Sequence, residues 1–422
     1  MSRRFRDVRS ASFFGLVLAA IFMAGSNPPV RAADNWLQWG GPKRDFAVES
    51  KGLKDKWPDE GPKKIWDREL GDGYSTILSD GELLFSMYRI AEDEFTVALD
   101  AKTGKTAWEH KNASPTTKMM EEWGPGPHAT PLLLGDRLYT IGSNMDLFCF
   151  QKKNGDVIWK HDLVEEFGAK MPEYGYACSP LEYKNTLILP VGGKEGQSIM
   201  AFDPASGSVL WKKQDFEITY SSPIIVRFSG EDQLVFFTGN SLVGLNPTNG
   251  ETLWSHPHKT QYDANIMTPL WDGKDTLFCS AAYDSGARAV QLVKDGDKTV
   301  PKELWFNKKM RLHHGNAIHI GGFAYGSSGD FGPAFFMAVN LKDGEIAWRE
   351  RGFKKTTCVF ADGKIILLDE DGQLALVKAT PEKFTLLSKC KIAETYAWAA
   401  PTLVGTKLYV RDRKHIVALE LG

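Results

Sequence analysis

The sequence predicts an all-β protein, an eight-bladed β-propeller of four-stranded blades, closed by pairing the C-terminal strand with an N-terminal one. Three observations carry this. A hairpin phrase returns about every 40–50 residues. A strand–turn–strand unit stands upstream of each copy. One copy is split between the two ends of the chain, as a closed ring requires.

The phrase reads ALDAKTGKTAW at 98–108, CFQKKNGDVIW at 149–159 and AFDPASGSVLW at 201–211, then GLNPTNGETLW at 244–254 and AVNLKDGEIAW at 338–348. In each, a glycine precedes a tryptophan by four positions: Gly104/Trp108, Gly155/Trp159, Gly207/Trp211, Gly250/Trp254 and Gly344/Trp348. The glycine suits a turn position of positive φ. Four residues before it stands Asp100, Gln151, Asp203, Asn246 or Asn340, a side chain suited to accept from turn amides. Six before it is a small residue, expected to leave room for a neighbouring blade's tryptophan. The tryptophans are read as interblade core.

Three further copies are degraded. One spans 289–305, ending at Trp305, with its turn lengthened by KDGDKTVPK. Another, at 375–387, has lost both glycine and tryptophan. The last is split: HIVALEL at 415–421 supplies its first half and KKIWDREL at 63–70, with Trp66, its second. The upstream units, from YSTILSDGELLF to APTLVGTKLYV, also number eight, so each blade has four short strands. Radial closure removes most exposed edges. No helical period of useful length follows the N-terminal segment.

The chain of 422 residues carries a formal charge of −2, which argues against a nucleic-acid or anionic-membrane surface. Its five cysteines form no CxxC pair, so no zinc or redox motif is visible. Cys149 is expected as a buried thiol, and a Cys358–Cys390 disulfide is the oxidised alternative. Arg3, Arg4, Arg6 and Arg9 precede an apolar run and a small-x-small site at Val30-Arg31-Ala32, the pattern of a cleaved export signal. That run is short for a membrane span, and the stretch holds no cysteine for a lipid anchor. The expected organisation is a signal at 1–32, an extension at 33–62 packing on the propeller, and the propeller at 63–422. The mature protein is expected in the periplasm as a monomer, with no transmembrane span.

The phrase A-x-D-x-x-T-G-x-x-x-W resembles the pyrroloquinoline-quinone (PQQ) repeat of eight-bladed quinoprotein alcohol dehydrogenases and of the BamB-like propellers of outer-membrane assembly. More narrowly, the chain resembles exported PQQ-like propellers of planctomycete type, through WLQWGGPKRD at 36–45, GYACSP at 175–180 and His313-His314-Gly315. The resemblance implies the fold across the mature chain. It does not fix an activity. The dehydrogenases hold PQQ under a disulfide of adjacent cysteines beside Ca²⁺, and here no two cysteines adjoin and no calcium pattern is recognisable. No cofactor is therefore expected, with PQQ and Ca²⁺ as the alternative. The leading function is a non-enzymatic binding or scaffold propeller holding an extended polypeptide or a glycan. A quinoprotein-type oxidoreductase and a carbohydrate-active propeller are the alternatives.

A polar aromatic, imidazole or amide side chain precedes the first strand of most blades: Tyr74, His128, Tyr176, Tyr220, Asn265, His314 and Trp398, with His313 adjoining. Innermost strands converge on the axis, so these residues are expected around one mouth of the central channel, as a binding pocket or as packing. The histidines suit acid–base or metal-ligand roles, although no catalytic constellation stands out. Residues 36–44 are expected to plug the propeller's side or base, with a partner-binding arm as the alternative. The loop 112–127, with Met119, Met120 and Trp123, is expected to form an apolar patch over the mouth or to pack on the rim.

Overall fold

The computed structural model describes residues 35–330 and 333–422. The export signal expected at 1–32 lies outside the described residues. No helix among them is long and apolar enough to cross a membrane.

Eight four-stranded antiparallel sheets form the blades. Blades 1 to 7 occupy residues 78–113, 132–162, 181–213, 224–257, 270–307, 318–350 and 356–391. Blade 8 takes three strands from 402–420 and its outermost strand, Lys63–Glu69, from the other end of the chain. Trp66 faces Ala418 across that join. In blades 1 to 7 the strands run in sequence order outward from the axis. Middle strands such as Lys364–Asp369 are buried on both faces between neighbouring blades, hence their unbroken apolar runs. Outer strands such as Val157–Asp162 alternate, with one face to solvent.

The repeat phrase is explained residue by residue. Asp100 Oδ1 accepts from the amides of Lys102 and Thr103, and Asp203, Asn246 and Asn340 accept from turn amides likewise. Gln151 is too long for this; its amide donates to Asp136 instead. The glycines sit at positive φ, +77° at Gly155, and a Cβ there would lie 2.4 Å from the Trp108 ring of the preceding blade. The tryptophan thus covers the next blade's turn, and Trp108 Nε1 donates to Lys152 O at 2.8 Å. Trp66, Trp159 and Trp348 repeat that contact with Ala101 O, Pro204 O and Thr380 O. Trp305 makes it with Leu341 O.

Two tryptophans share only part of that contact, although both pack in cores shared by adjacent blades, as expected. Trp211 keeps half of it: its ring covers the next blade's turn, where a Cβ on Gly250 would lie 2.6 Å away. The ring is part-buried, like those of Trp66, Trp159 and Trp348, but its Nε1 has no hydrogen-bond partner among the described residues. Trp211 is thus held between the blades by packing alone. Trp254 is buried, but blade 5 has lost the phrase's glycine turn, and Trp254 Nε1 donates to Gln233 Oε1 of its own blade instead.

Two other expectations need correction, and two features beside them complete the picture. The small residue six before the glycine does not seat a neighbour's tryptophan: Ala98 pairs with Trp108, and Gly244 with Trp254, of its own hairpin. Blade 5 has no lengthened turn. Its last two strands, Gly286–Asp295 and Lys298–Asn307, are ten residues each around a short turn, and Ala289 still faces Trp305. All five cysteines are buried free thiols, so Cys358 and Cys390 are not joined. Among the described residues there are two short helices, Lys118–Trp123, capped by Thr117, and Leu163–Phe167, capped by Asp162. Both are set by local capping rather than by an amphipathic period.

A belt of hydroxyls ties the innermost strands to one another. Thr130 Oγ1 accepts from the Thr76 amide, Ser179 Oγ from the Thr130 amide, and Ser222 Oγ from the Ser179 amide. Ser221 donates to Met267 O, Thr357 to Ala399 O, and Thr402 to Ile77 O. Asn316 and Cys358 exchange two hydrogen bonds between blades 6 and 7. Each bond satisfies a buried polar group near the axis, where an orphan costs about 1–3 kcal/mol.

The segment before blade 1 closes the far end of the channel. Trp36 pairs with Ser79 at the end of blade 1's inner strand. Trp39 Nε1 donates to Thr268 Oγ1, Val48 N to Phe360 O, and Ser50 Oγ to Gly405 O. Arg44 is buried beneath the belt, donating to Pro180 O at 2.9 Å, Pro223 O at 3.1 Å and Ser179 O at 3.4 Å. Burial lowers its guanidinium to about 9.

Candidate functional site

The segments that enter each inner strand, together with the turns between second and third strands, form the opposite end of the propeller. Five of the eight sequence-predicted residues meet there in one run of rings. His128 from blade 2 stacks on Tyr74 from blade 1 at 5.4 Å between centroids. Tyr74 lies 4.8 Å from Trp398 of blade 8. Trp398 stacks on His314 of blade 6 at 4.4 Å and 15°, and His314 lies 3.9 Å from His313. Two residues the sequence reading missed extend the run. Tyr283, on a blade 5 turn, has its hydroxyl 2.6 Å from His313 Nε2. Tyr396 stacks on Trp398 at 5.1 Å and 9°.

The other three predicted residues sit at equivalent positions but outside this run. Tyr176 is fully buried in the wall, its hydroxyl donating to Pro190 O at 2.7 Å. Asn265 braces the wall between blades 4 and 5. Its side-chain amide donates to Thr238 O and Gly239 O, and its backbone carbonyl accepts from Thr219 and Tyr220. Tyr220 packs edge-on against Tyr174. In the loop at 112–127, Met120 is buried while Trp123 is half exposed, so the expected patch is divided between wall and rim. The Trp123 carbonyl accepts from Tyr74, which fixes that ring.

Burial sets the electrostatics of the floor. It holds His128 down to about 4, helped by Arg411, and His313 to about 4, helped by Lys355. His314 lies well below the usual imidazole range through burial, His313, Lys355 and His128. Burial pushes the Tyr74 phenol up. At neutral pH the stacked rings are therefore uncharged. Arg411, fully buried, stands beneath them, bonded to the carbonyls of Met87, Ser75 and Gly71 and to Ser86 Oγ. Charges form a collar outside the rings, already paired: Arg413 with Asp72, Lys355 with Glu370, Arg311 with Asp330 and Asp284. Trp398 Nε1 donates to Glu370 at 3.0 Å.

These donors do not fit a calcium-held quinone. A hard cation takes six to eight oxygens, whereas the floor offers imidazoles and phenols, and the carboxylates of the collar face cations. Among the described residues no three His, Cys, Asp or Glu side chains gather as a ligand set. What the floor offers is a neutral, closely packed run of rings, with Tyr74 and His313 buried and His128, His314 and Trp398 part-buried.

The comparisons with known proteins agree with the architecture. Residues 92–350 match the family described as outer membrane protein assembly factor BamB. The quinoprotein alcohol dehydrogenase PedH of Pseudomonas putida is 25% identical over 191 residues, 43% of this chain and only 29% of that relative's length. An uncharacterized protein of Rickettsia conorii, RC0314, is 24% identical over 37% of this chain and 35% of its own. The chain thus matches about a third of the length of these curated relatives. Among solved structures, the quinohemoprotein alcohol dehydrogenase ADHIIG of Pseudomonas putida HK5 superposes with a TM-score of 0.61 at 12% identity, covering 92% of this chain and 80% of that one. That likeness is one of fold. The repeat, the eight closed blades and the match over residues 92–350 together make the chain a member of the BamB-described family of PQQ-like repeat propellers.

Proposed function

We propose that this protein is an exported, non-enzymatic binding propeller, periplasmic and monomeric, that holds its ligand on the ring floor of the open mouth without a resident cofactor. The observation that carries this reading is the run from His128 through Tyr74, Trp398, His314 and His313 to Tyr283. Side chains from five blades converge at one end of the axis, where a propeller can gather the groups of a ligand site. The neutrality of the imidazoles supports recognition by stacking and hydrogen bonding rather than by charge. The family description, an assembly factor, supports a binding role over turnover.

The test is calorimetric titration of the mature protein with PQQ, with and without Ca²⁺, beside retention of the protein on arrays of extended peptides and oligosaccharides. No saturable PQQ binding, and array retention that Trp398→Ala abolishes, is the expected result. Calcium-dependent PQQ binding near one per chain overturns the reading in favour of a quinoprotein oxidoreductase.

A further inference from the structure

Beside the ring floor, between blades 7 and 8, an open cleft of about 690 Å³ is lined by Tyr396, Glu370, Gln373, Lys391, Glu394 and Arg413, with Asp371, Thr395 and Lys414 completing it. Its size falls in the range of small-molecule sites, about 300–1,000 Å³. Three features define what it would take.

The first is an aromatic platform. Tyr396 is the outer leaf of the stack that runs inward through Trp398 to His314. Trp398 covers one face and fixes the plane, yet Tyr396 remains 49% exposed. A large, half-exposed ring held rigidly at a cleft keeps apolar area in water, and a ligand that covers it recovers that cost at about 25 cal/mol per Å².

The second is the state of the charges. The lining carries three carboxylates (Glu370, Asp371, Glu394) and three cations (Lys391, Arg413, Lys414). Glu370 is 3.9 Å from Lys355, Asp371 is 2.9 Å from Lys354, Lys391 is 2.8 Å from Glu394, and Arg413 is paired with Asp72. Among the described residues Lys414 alone of these has no carboxylate partner, so most of the lining charge is already compensated before a ligand arrives. A neutral ligand bearing both donors and acceptors needs only their unused lone pairs and N–H groups. The third feature is that this polar ring surrounds a flat hydrophobic plate. The matching ligand has one apolar C–H face and a rim of hydroxyls.

We propose that the cleft is a subsite for a neutral sugar ring of an oligosaccharide, stacked on Tyr396 and hydrogen-bonded by Glu370, Gln373 and Arg413. This rests on the mouth as the binding face and names the ligand class for its blade 7–8 side. The slightly positive C–H face of a pyranose meets the negative face of the phenol ring.

The test uses four probes, cellopentaose, maltopentaose, xylopentaose and chitopentaose, titrated into the full mature protein and followed by saturation-transfer NMR. At least one is expected to bind. Tyr396→Ala should weaken it at least tenfold, with the thermal midpoint unchanged because the side chain is half exposed. Tyr396→Phe should retain the binding. Tyr262→Ala, an exposed tyrosine on the blade 5 side, should have no effect. Between about 0.1 M and about 1 M salt the affinity should move less than twofold, since no net charge is exchanged. Failure of all four probes, or binding indifferent to Tyr396→Ala, overturns the proposal. Loss with Trp398→Ala but not with Tyr396→Ala places the sugar on the ring floor, sinking the cleft while sparing the mouth. Calcium-dependent PQQ binding sinks the mouth reading itself.

Discussion

Gly155 and Gly135, both in blade 2, isolate the contact that joins one blade to the next. Each has positive φ, +77° and +62°. An alanine at either pays the same left-handed backbone penalty, about 1–2 kcal/mol, and gains the same small reduction in unfolded-state entropy. They differ in surroundings. A Cβ at Gly135 meets nothing within 4 Å, whereas one at Gly155 lies 2.4 Å from Trp108 Cε3 and 2.8 Å from Cδ2. The indole cannot slide away freely, because its Nε1 is bonded to Lys152 O. Overpacking of this kind costs about 1–3 kcal/mol, and loss of the indole bond adds up to about 1 kcal/mol. Gly155→Ala should therefore be less stable than Gly135→Ala by about 2–3 kcal/mol. Urea unfolding followed by circular dichroism measures the difference, and the near-ultraviolet signal reports displacement of Trp108. Equal midpoints for the two variants would refute the claim that the repeat glycine exists to seat the preceding blade's tryptophan.

Acid should destabilise the protein. His128 and His313 titrate near 4 and His258 near 3 when folded, against about 6.5 unfolded, so the unfolded chain takes up protons first. Their contribution is complete above about 6.5 and is lost as pH falls toward 4, at up to about 1.4 kcal/mol per pH unit each. Asp146, raised to about 6 by burial and by Asp162 and Glu94, opposes this. The slope of urea stability against pH should flatten in His313→Gln, and an unchanged slope would remove His313 from the account. Arg44→Ala should cost about 3 kcal/mol or more by stranding three carbonyls, and limited proteolysis should then cut within residues 36–57. A thiol reagent should find no reactive cysteine in the native protein and five in urea. Burial holds Cys149 and Cys390 near 11 and Cys279 near 12.

The ring was legible in the sequence because its joints are local. A turn needing positive φ demands glycine, and a tryptophan across the hairpin demands a small partner such as Ala98 or Gly244. Both leave fixed spacings. Spacing cannot report whether an indole N–H finds a carbonyl, so Trp108 and Trp211 read alike and differ in the fold. The site was legible only in part. Position before the inner strand named Tyr74, His128, His313, His314 and Trp398, whose rings do touch one another. It could not give rotamers, so Tyr176 and Asn265 share the position yet turn into the wall. Tyr283, Glu370 and Arg413 come from turns of other blades, joined to the site through space and not by any spacing. The hydroxyl belt did leave a trace that went unread. Thr130, Ser179, Ser222 and Thr268 each stand directly before a proline at the entry to an inner strand.

The segment that seats Arg44 under the belt turns the channel into a cul-de-sac. A polymer cannot be threaded through it, so translocation and processive sliding along an axis are not available to this molecule. Whatever reaches the rings must offer a terminus, a side branch or a bent stretch, and must leave by the way it came. Release is then governed by how firmly the mouth grips, never by passage out of the far side.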